Sequence, residues 1–259
     1  MPNLVTRVVA GLLVLFMMPL AALGAGTAVG VDPDAEARGQ ETRTLVVGSD
    51  VFIGDRIVTD AGGLVQILFD DKTKLVVGPR SSLLIEDYLI REDGSAGKLA
   101  VNALSGTFRF ITGNSAKRDY VINTPTGQIG VRGTAFDLYS TKSAAYILRL
   151  SGVVIGCSRG GDCEPIGDGC EVGVIRSGEI DMWGSARELE GEERERAEDF
   201  FSLSVSQSPL MRAFRVSGAE QCMRPRSRFD DSGPGESLSD PSIVFRDRDN
   251  GDGDGGKLY

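Results

Sequence analysis

The sequence contains no histidine. That excludes a histidine general base, every histidine-containing triad and histidine metal sites. No Lys-Ser or Lys-Thr directly follows the glycines at 127, 130 and 133, so a phosphate-cradling loop is not indicated. Positive charge is in deficit: 28 Lys and Arg against 37 Asp and Glu give a net −9. Such a balance argues against a nucleic-acid partner, which needs a basic face. The four cysteines lack the paired C-x-x-C spacing of a structural zinc site. No metal or other cofactor is expected. No run of helical period interrupts Thr44 to Cys157, and no exact repeat is visible.

What is present suits an exported globular protein. With 259 residues, 41% of them hydrophobic, the chain can bury a sizeable core. Arg7 precedes an apolar run from Val8 to Leu23, and small residues follow around Gly24. This reads as a signal peptide over 1–25. A run of sixteen residues with Pro19 inside it is short for a membrane span. The processed protein is therefore expected in the periplasm or outside the cell, not spanning a membrane. Val31 to Arg43 is polar, and residues 26–43 read as a flexible linker. Cys157, Cys163, Cys170 and Cys222 all follow the signal, in an oxidising compartment. Three pairings are possible. The short spacings favour Cys157–Cys163 with Cys170–Cys222.

From Thr44 onward, short apolar runs alternate with turn residues. Candidate strands are 45–47, 51–53, 57–59, 64–69, 75–77, 82–90, 98–101, 107–111, 120–123, 128–132, 134–139, 144–150 and 152–157. Two more follow at 171–175 and 179–183. Turn signals recur at roughly ten-residue spacing, the pattern of an all-β sandwich, barrel or solenoid. The stretch Asn123 to Leu138, NTPTGQIGVRGTAFDL, stands out. Thr124-Pro125 and Thr126-Gly127 turn the chain, and apolar alternation then resumes. Glycine inside strands marks bulges, corners or close backbone approach.

Several elements occur in a fixed order: Gly54-Asp55-Arg56-Ile57-Val58-Thr59; a strand, turn and strand over Leu64 to Val77; Gly78-Pro79-Arg80-Ser81; Leu104 to Phe110; Thr124 to Asp137; and Leu150 to Val154. Together they resemble the FecR domain family from about Val51 to Cys157. The resemblance implies a periplasmic all-β domain that is β-helix-like, and the candidate strands extend it over 44–183; a β-solenoid is expected, with a β-sandwich as the alternative. The best-known members relay the state of an outer-membrane transporter to a sigma factor, through a cytoplasmic anti-sigma segment and a membrane span. Here seven residues precede the apolar run, so a free-standing exported version of the domain is expected.

The motif residues Gly54, Asp55, Thr124, Pro125, Gly127, Arg132, Gly133, Thr134, Phe136 and Asp137 are expected to be structural. Arg132 and Asp137 could pair, since a guanidinium fork suits a carboxylate. Asp55 could cap a turn, and Thr124 and Thr134 could bond nearby backbone. Phe108, Phe110 and Phe136 are expected in the core. Beyond the strands, Ser185 to Glu188 has the form of a capping box that opens an acidic helix to about Ser202. Leu189, Ala197, Phe200 and Phe201 give that helix a face to dock. A second short helix is expected from Pro209 to Val216. The helical extension spans 184–223, and 224–259 reads as a disordered acidic tail. No catalytic set is identified. The expected function is an exported binding or scaffold module that engages a protein or glycan in the cell envelope. A regulatory part in a FecR-type signalling relay is the alternative.

Overall fold

The computed structural model describes residues 24–90, 96–113, 120–167 and 169–225. The signal-peptide reading, except for Gly24 and Ala25, and the acidic tail from 226 onward lie outside them. Fifteen strands follow in order: β1 (Gly24–Asp32), β2 (Ala35–Arg38), β3 (Thr42–Thr44), β4 (Asp50–Phe52), β5 (Arg56–Thr59), β6 (Leu64–Phe69), β7 (Lys74–Val77), β8 (Ser82–Ile90), β9 (Ala96–Ile111), β10 (Tyr120–Asn123), β11 (Gly127–Ser140), β12 (Ala145–Ser158), β13 (Cys163–Ile166), β14 (Glu171–Ile175) and β15 (Ile180–Ser185). Helices α1 (Gly191–Phe200) and α2 (Ser202–Val205), a 3-10 turn (Arg212–Phe214) and α3 (Ala219–Cys222) complete the described chain.

All strands join one open sheet that doubles over on itself. One half runs β3-β2-β5-β8-β9-β10-β11-β12-β13. The other runs β4-β1-β6-β7-β9-β11-β12-β14-β15. Three long strands, β9, β11 and β12, serve both halves. Each carries a glycine with positive φ where it changes half: Gly106 at 103°, Gly133 at 59° and Gly152 at 76°. Only glycine takes such a conformation without steric cost. The backbone can therefore turn a corner while the ladder resumes beyond it. This corrects the sequence reading, which ended a strand at each of these corners. Among the described strands only the β9–β10 pairing is parallel, and because the sheet is open the expected solenoid is not confirmed.

The inner faces of the halves share one core. Ile57, Leu83 and Val101 from the first half and Val65, Leu75 and Phe108 from the second belong to a single cluster. Strand alternation sets this: in β6, Val65, Ile67 and Phe69 face inward while Gln66 faces out. The expectation for Phe108, Phe110 and Phe136 holds; all three are buried, and the last two stack at 5.2 Å.

Four expectations change. Residues 26–43 are not a linker. They form β1 to β3, and β1 pairs with both β4 and β6. Polarity misled here because β1 is built from small residues, Ala25 and Ala28, that reach the core without bulk. Val46 and Val47, expected in a strand, sit on a turn and are more than half exposed. The capping box does not start a helix. Ser185 to Glu188 is a turn, and α1 begins at Gly191 behind Glu190, with no side-chain cap. No helix is formed from Pro209 to Val216 beyond the single 3-10 turn.

The extension covers the outer face of the second half. Leu148 and Val172 of the sheet pack with Ala186, Leu189, Ala197 and Phe201. Leu64 and Val76 pack with Leu203, Leu210 and Phe214. Phe200 stacks on Tyr139 at 4.3 Å and meets Tyr146 at 4.5 Å. The expected docking face of the first helix is thus the observed one.

At the turn between β6 and β7 a polar knot is buried. Asp71 accepts from the Thr73 amide (3.0 Å), the Thr73 hydroxyl (2.7 Å) and the Tyr120 hydroxyl (2.7 Å). The Asp71 amide donates to the Tyr88 oxygen at 2.9 Å. Burial holds the Tyr88 hydroxyl well above the usual phenol range, and the Asp71 and Asp70 charges push the same way. A group whose folded pKa is raised contributes stability that is complete below the unfolded pKa, about 10 for tyrosine, and lost as pH rises through the folded value. Tyr88→Phe removes this titration. The stability gap between wild type and Tyr88→Phe should narrow above about pH 10. Urea midpoints measured from pH 8 upward test it, and a constant gap would refute it. Lys98, held above its usual range by its hydrogen bond to Asp87, titrates in both proteins and cancels.

Candidate functional site

The sequence motifs do not converge on one site. The Gly54-Asp55 turn lies at a recess of about 540 Å³, together with Arg43 and Phe52. Asp55 accepts from the Phe52 amide (2.9 Å), as expected of a turn cap, and from Arg43 (2.5 Å). The Arg43 guanidinium also lies 4.9 Å above the Phe52 ring. Thr134 locks the β11 corner: its hydroxyl donates to the Val153 carbonyl (2.8 Å) and accepts from the Arg132 amide (2.9 Å). The Thr124 hydroxyl closes its own turn, donating to the Gly127 carbonyl (3.0 Å) and accepting from the Gly127 amide (3.1 Å). These side chains hold turns; they do not present reactive atoms together.

Asp137 is the exception, and its partner is not Arg132. Arg132 is exposed. Asp137 and Arg109 are both fully buried and form a bidentate pair. Arg109 Nε donates to Asp137 Oδ1 at 2.6 Å and Nη2 to Oδ2 at 2.7 Å. The pairing follows from register: Asp137 lies directly opposite Arg109 on β9. Arg132 stands beyond the Gly133 corner, in the other half of the sheet. The extension seals the pair. Arg109 Nη1 donates to Gln207 Oε1 (2.5 Å) and Nη2 to Ser204 Oγ (3.0 Å), while Ser204 donates to Asp137 Oδ2 (2.7 Å). Gln207 in turn exchanges hydrogen bonds with the Val216 backbone. Charges alternating with core phenylalanines, as in Phe108-Arg109-Phe110 and Phe136-Asp137, were the sequence signal for this pair.

The strongest candidate for contact with another molecule lies on the outer face of the first half. A shallow cleft of about 640 Å³ is bounded by Asn102, Asn123, Thr124, Gln128, Ser158 and Arg159, among others. Cross-strand register builds it. Asn123 lies opposite both Asn102 and Gln128, Gln128 opposite Cys157, and Cys157 opposite Cys163. Three carboxamides therefore stand in a row across adjacent strands, spaced by about 4.8 Å. Gln128 Nε2 donates to Asn123 Oδ1 (3.0 Å), and Asn123 Nδ2 donates to Glu86 (3.2 Å). Among the described residues, the Asn102 amide and the exposed Arg159 guanidinium have no partner. The row thus offers open donors and acceptors, with a carboxylate at one end and a guanidinium at the other. Thr124, Pro125 and Gly127, expected only to be structural, border this cleft; the amides gave no signal, because their alignment exists only across strands.

The Cys157–Cys163 bridge closes the end of this row, and Cys170–Cys222 ties the extension to the sheet. Both pairings are those that the spacings favoured. Among the described residues, no helix is long and apolar enough to cross a membrane. Two disulfides fit a protein outside the cytoplasm.

Residues 55–154 match the family described as FecR protein. Two crystal structures of a candidate anti-sigma factor from Parabacteroides distasonis ATCC 8503 are similar, with TM-scores of 0.43 and 0.41 and 14% identity. The similarity covers 55% of this chain and 63% of those chains, so less than two thirds of their length is spanned. A cell surface anchoring domain aligns at 27% identity and a TM-score of 0.23, over 23% of this chain and 82% of its own. No curated protein matches. The order of the motifs and the match to the family fall on the same stretch: residues 55–154 are the part of the chain that is similar to the FecR family.

Proposed function

We propose that this protein is a binding module working outside the cytoplasm, with a regulatory role and a protein partner held at the carboxamide row. The row carries the proposal. It is a row of carboxamides in which, among the described residues, the Asn102 amide and the Arg159 guanidinium have no partner, on a face that the extension leaves open. Hydrogen bonds to such groups give orientation and specificity once a partner excludes water. The FecR domain supports a regulatory reading over a purely architectural one, and a part in a FecR-type relay is the form this could take. A glycan partner stays an alternative occupant of the same face.

Site-specific photocrosslinking in intact source cells tests it. A photoreactive residue at Gln128 should give a discrete adduct, and one at the exposed Glu193 should not. Asn102→Ala with Arg159→Ala should reduce the adduct about tenfold or more, as expected when hydrogen bonds to polar and charged groups are lost. A sigma regulator or a TonB-dependent receptor in the adduct would favour the relay. Equal adducts from both positions, or none from 128, would refute the proposal.

A further inference from the structure

The cap over Arg109 and Asp137 comes from residues 186–223, outside the matched span of 55–154. It is held in four ways: apolar packing of Leu189, Ala197, Phe201, Leu203, Leu210 and Phe214 on the sheet, aromatic contacts around Phe200, hydrogen bonds that Ser204 gives to Asp137 and Gln207 accepts from Arg109, and one covalent link, Cys170–Cys222. Between those apolar contacts, Ser204 and Gln207 lie against two full charges withdrawn from water. A buried ion pair regains little more than its lost hydration, so it opposes docking relative to an apolar underside. The bridge counters this by keeping α3 beside the sheet across 52 residues of chain. Cys170 is only half-buried, whereas Cys222 is 3% exposed.

We propose that Cys170–Cys222 is a redox latch: reduction by a dithiol releases the cap, and the Arg109–Asp137 pair favours release because open water rehydrates it. A reductant thiolate attacks Cys170 Sγ. The S–S bond breaks with its electron pair leaving on Cys222, which takes a proton from solvent. The second reductant thiol, as its thiolate, then displaces Cys170 from the mixed disulfide. Two electrons pass to the bridge, giving two protein thiols and the reductant's own disulfide. Cys157–Cys163 spans six residues on directly opposed strands and does not hold the cap.

The test uses the full chain carrying Cys157→Ser and Cys163→Ser, so that one bridge remains. Hydrogen exchange is followed by mass spectrometry before and after dithiothreitol, with the freed thiols alkylated. Amides of 191–223 should exchange roughly a thousandfold faster after reduction, while β6, β9 and β11 keep their protection. Cys222→Ser should behave as if permanently reduced. In Arg109→Met/Asp137→Leu/Ser204→Ala, reduction should accelerate the same amides at least about tenfold less. Unchanged exchange with both thiols alkylated would overturn the latch. So would uniform acceleration through every strand, which marks the bridge as merely structural. Equal opening in the charge-free variant would overturn the role of the ion pair. If that variant does not fold, Cys222→Ser and the reduced parent still decide the latch.

Discussion

Replacing Arg109 with methionine should destabilise the closed protein by about 3–5 kcal/mol. The size follows from what remains. Asp137 would stay fully buried with the Ser204 hydroxyl as its side-chain donor, having lost two short charge-assisted bonds. Removing one member of a buried pair leaves an uncompensated charge, which costs far more than the net worth of the pair. The double variant Arg109→Met/Asp137→Leu should recover most of the loss, because it removes both charges and fills the space. A double-mutant cycle by urea unfolding measures this, and contacting residues should show coupling of about 0.5–3 kcal/mol or more. An additive cycle, with the double variant worse than either single one, would mean that the pair stabilises through more than mutual compensation. Arg132→Met is the control. Its exposed side chain should change stability by no more than about 0.5 kcal/mol.

The second large effect concerns the corners. Gly152→Val should cost at least about 3 kcal/mol, from a left-handed conformation and a blocked Cβ together. Gly152 has a φ of 76°, and a side chain there would meet the backbone of Gly133 and Thr134, with Thr134 Cα at 2.7 Å. Backbone on both strands must move, because neither contact is the flexible end of a side chain. Gly130, three residues before Gly133 in the same motif, is the counter-case. A Cβ there meets only the Ile155 carbonyl at 4.0 Å, and its φ is not positive. Gly130→Ala should therefore be neutral or stabilising by about 0.4–1 kcal/mol, by restricting the unfolded chain. Thermal unfolding of the two variants separates the readings. Similar losses at both positions would show that glycine is needed throughout the motif and not at its corners alone.

These cases mark where local reasoning succeeds. Apolar alternation located β6, β8, β10 and β14 within a residue or two, since period-two patterning reports directly on a half-buried strand. The bends were misread because a turn residue at Gly106, Gly133 or Gly152 looks the same whether the ladder ends or continues. β1 was missed because small residues carry little hydrophobic signal. The turn threonines were legible, since their bonds reach the nearest backbone. The carboxamide row was not, since Asn102, Asn123 and Gln128 belong to three strands whose register no single stretch encodes.

The amino-acid order by itself determined the all-β character, the FecR motifs, the favoured cysteine pairing and the apolar face of the first helix. All of these rest on composition, spacing or neighbours close along the chain. Only the tertiary structure decided that Asp137 pairs with Arg109, that the sheet doubles over at three glycines, and that residues beyond 185 seal the charged pair. The physical reason is that a cross-strand neighbour is set by ladder register and by the direction of each corner. Those depend on the packing of the whole sheet at once.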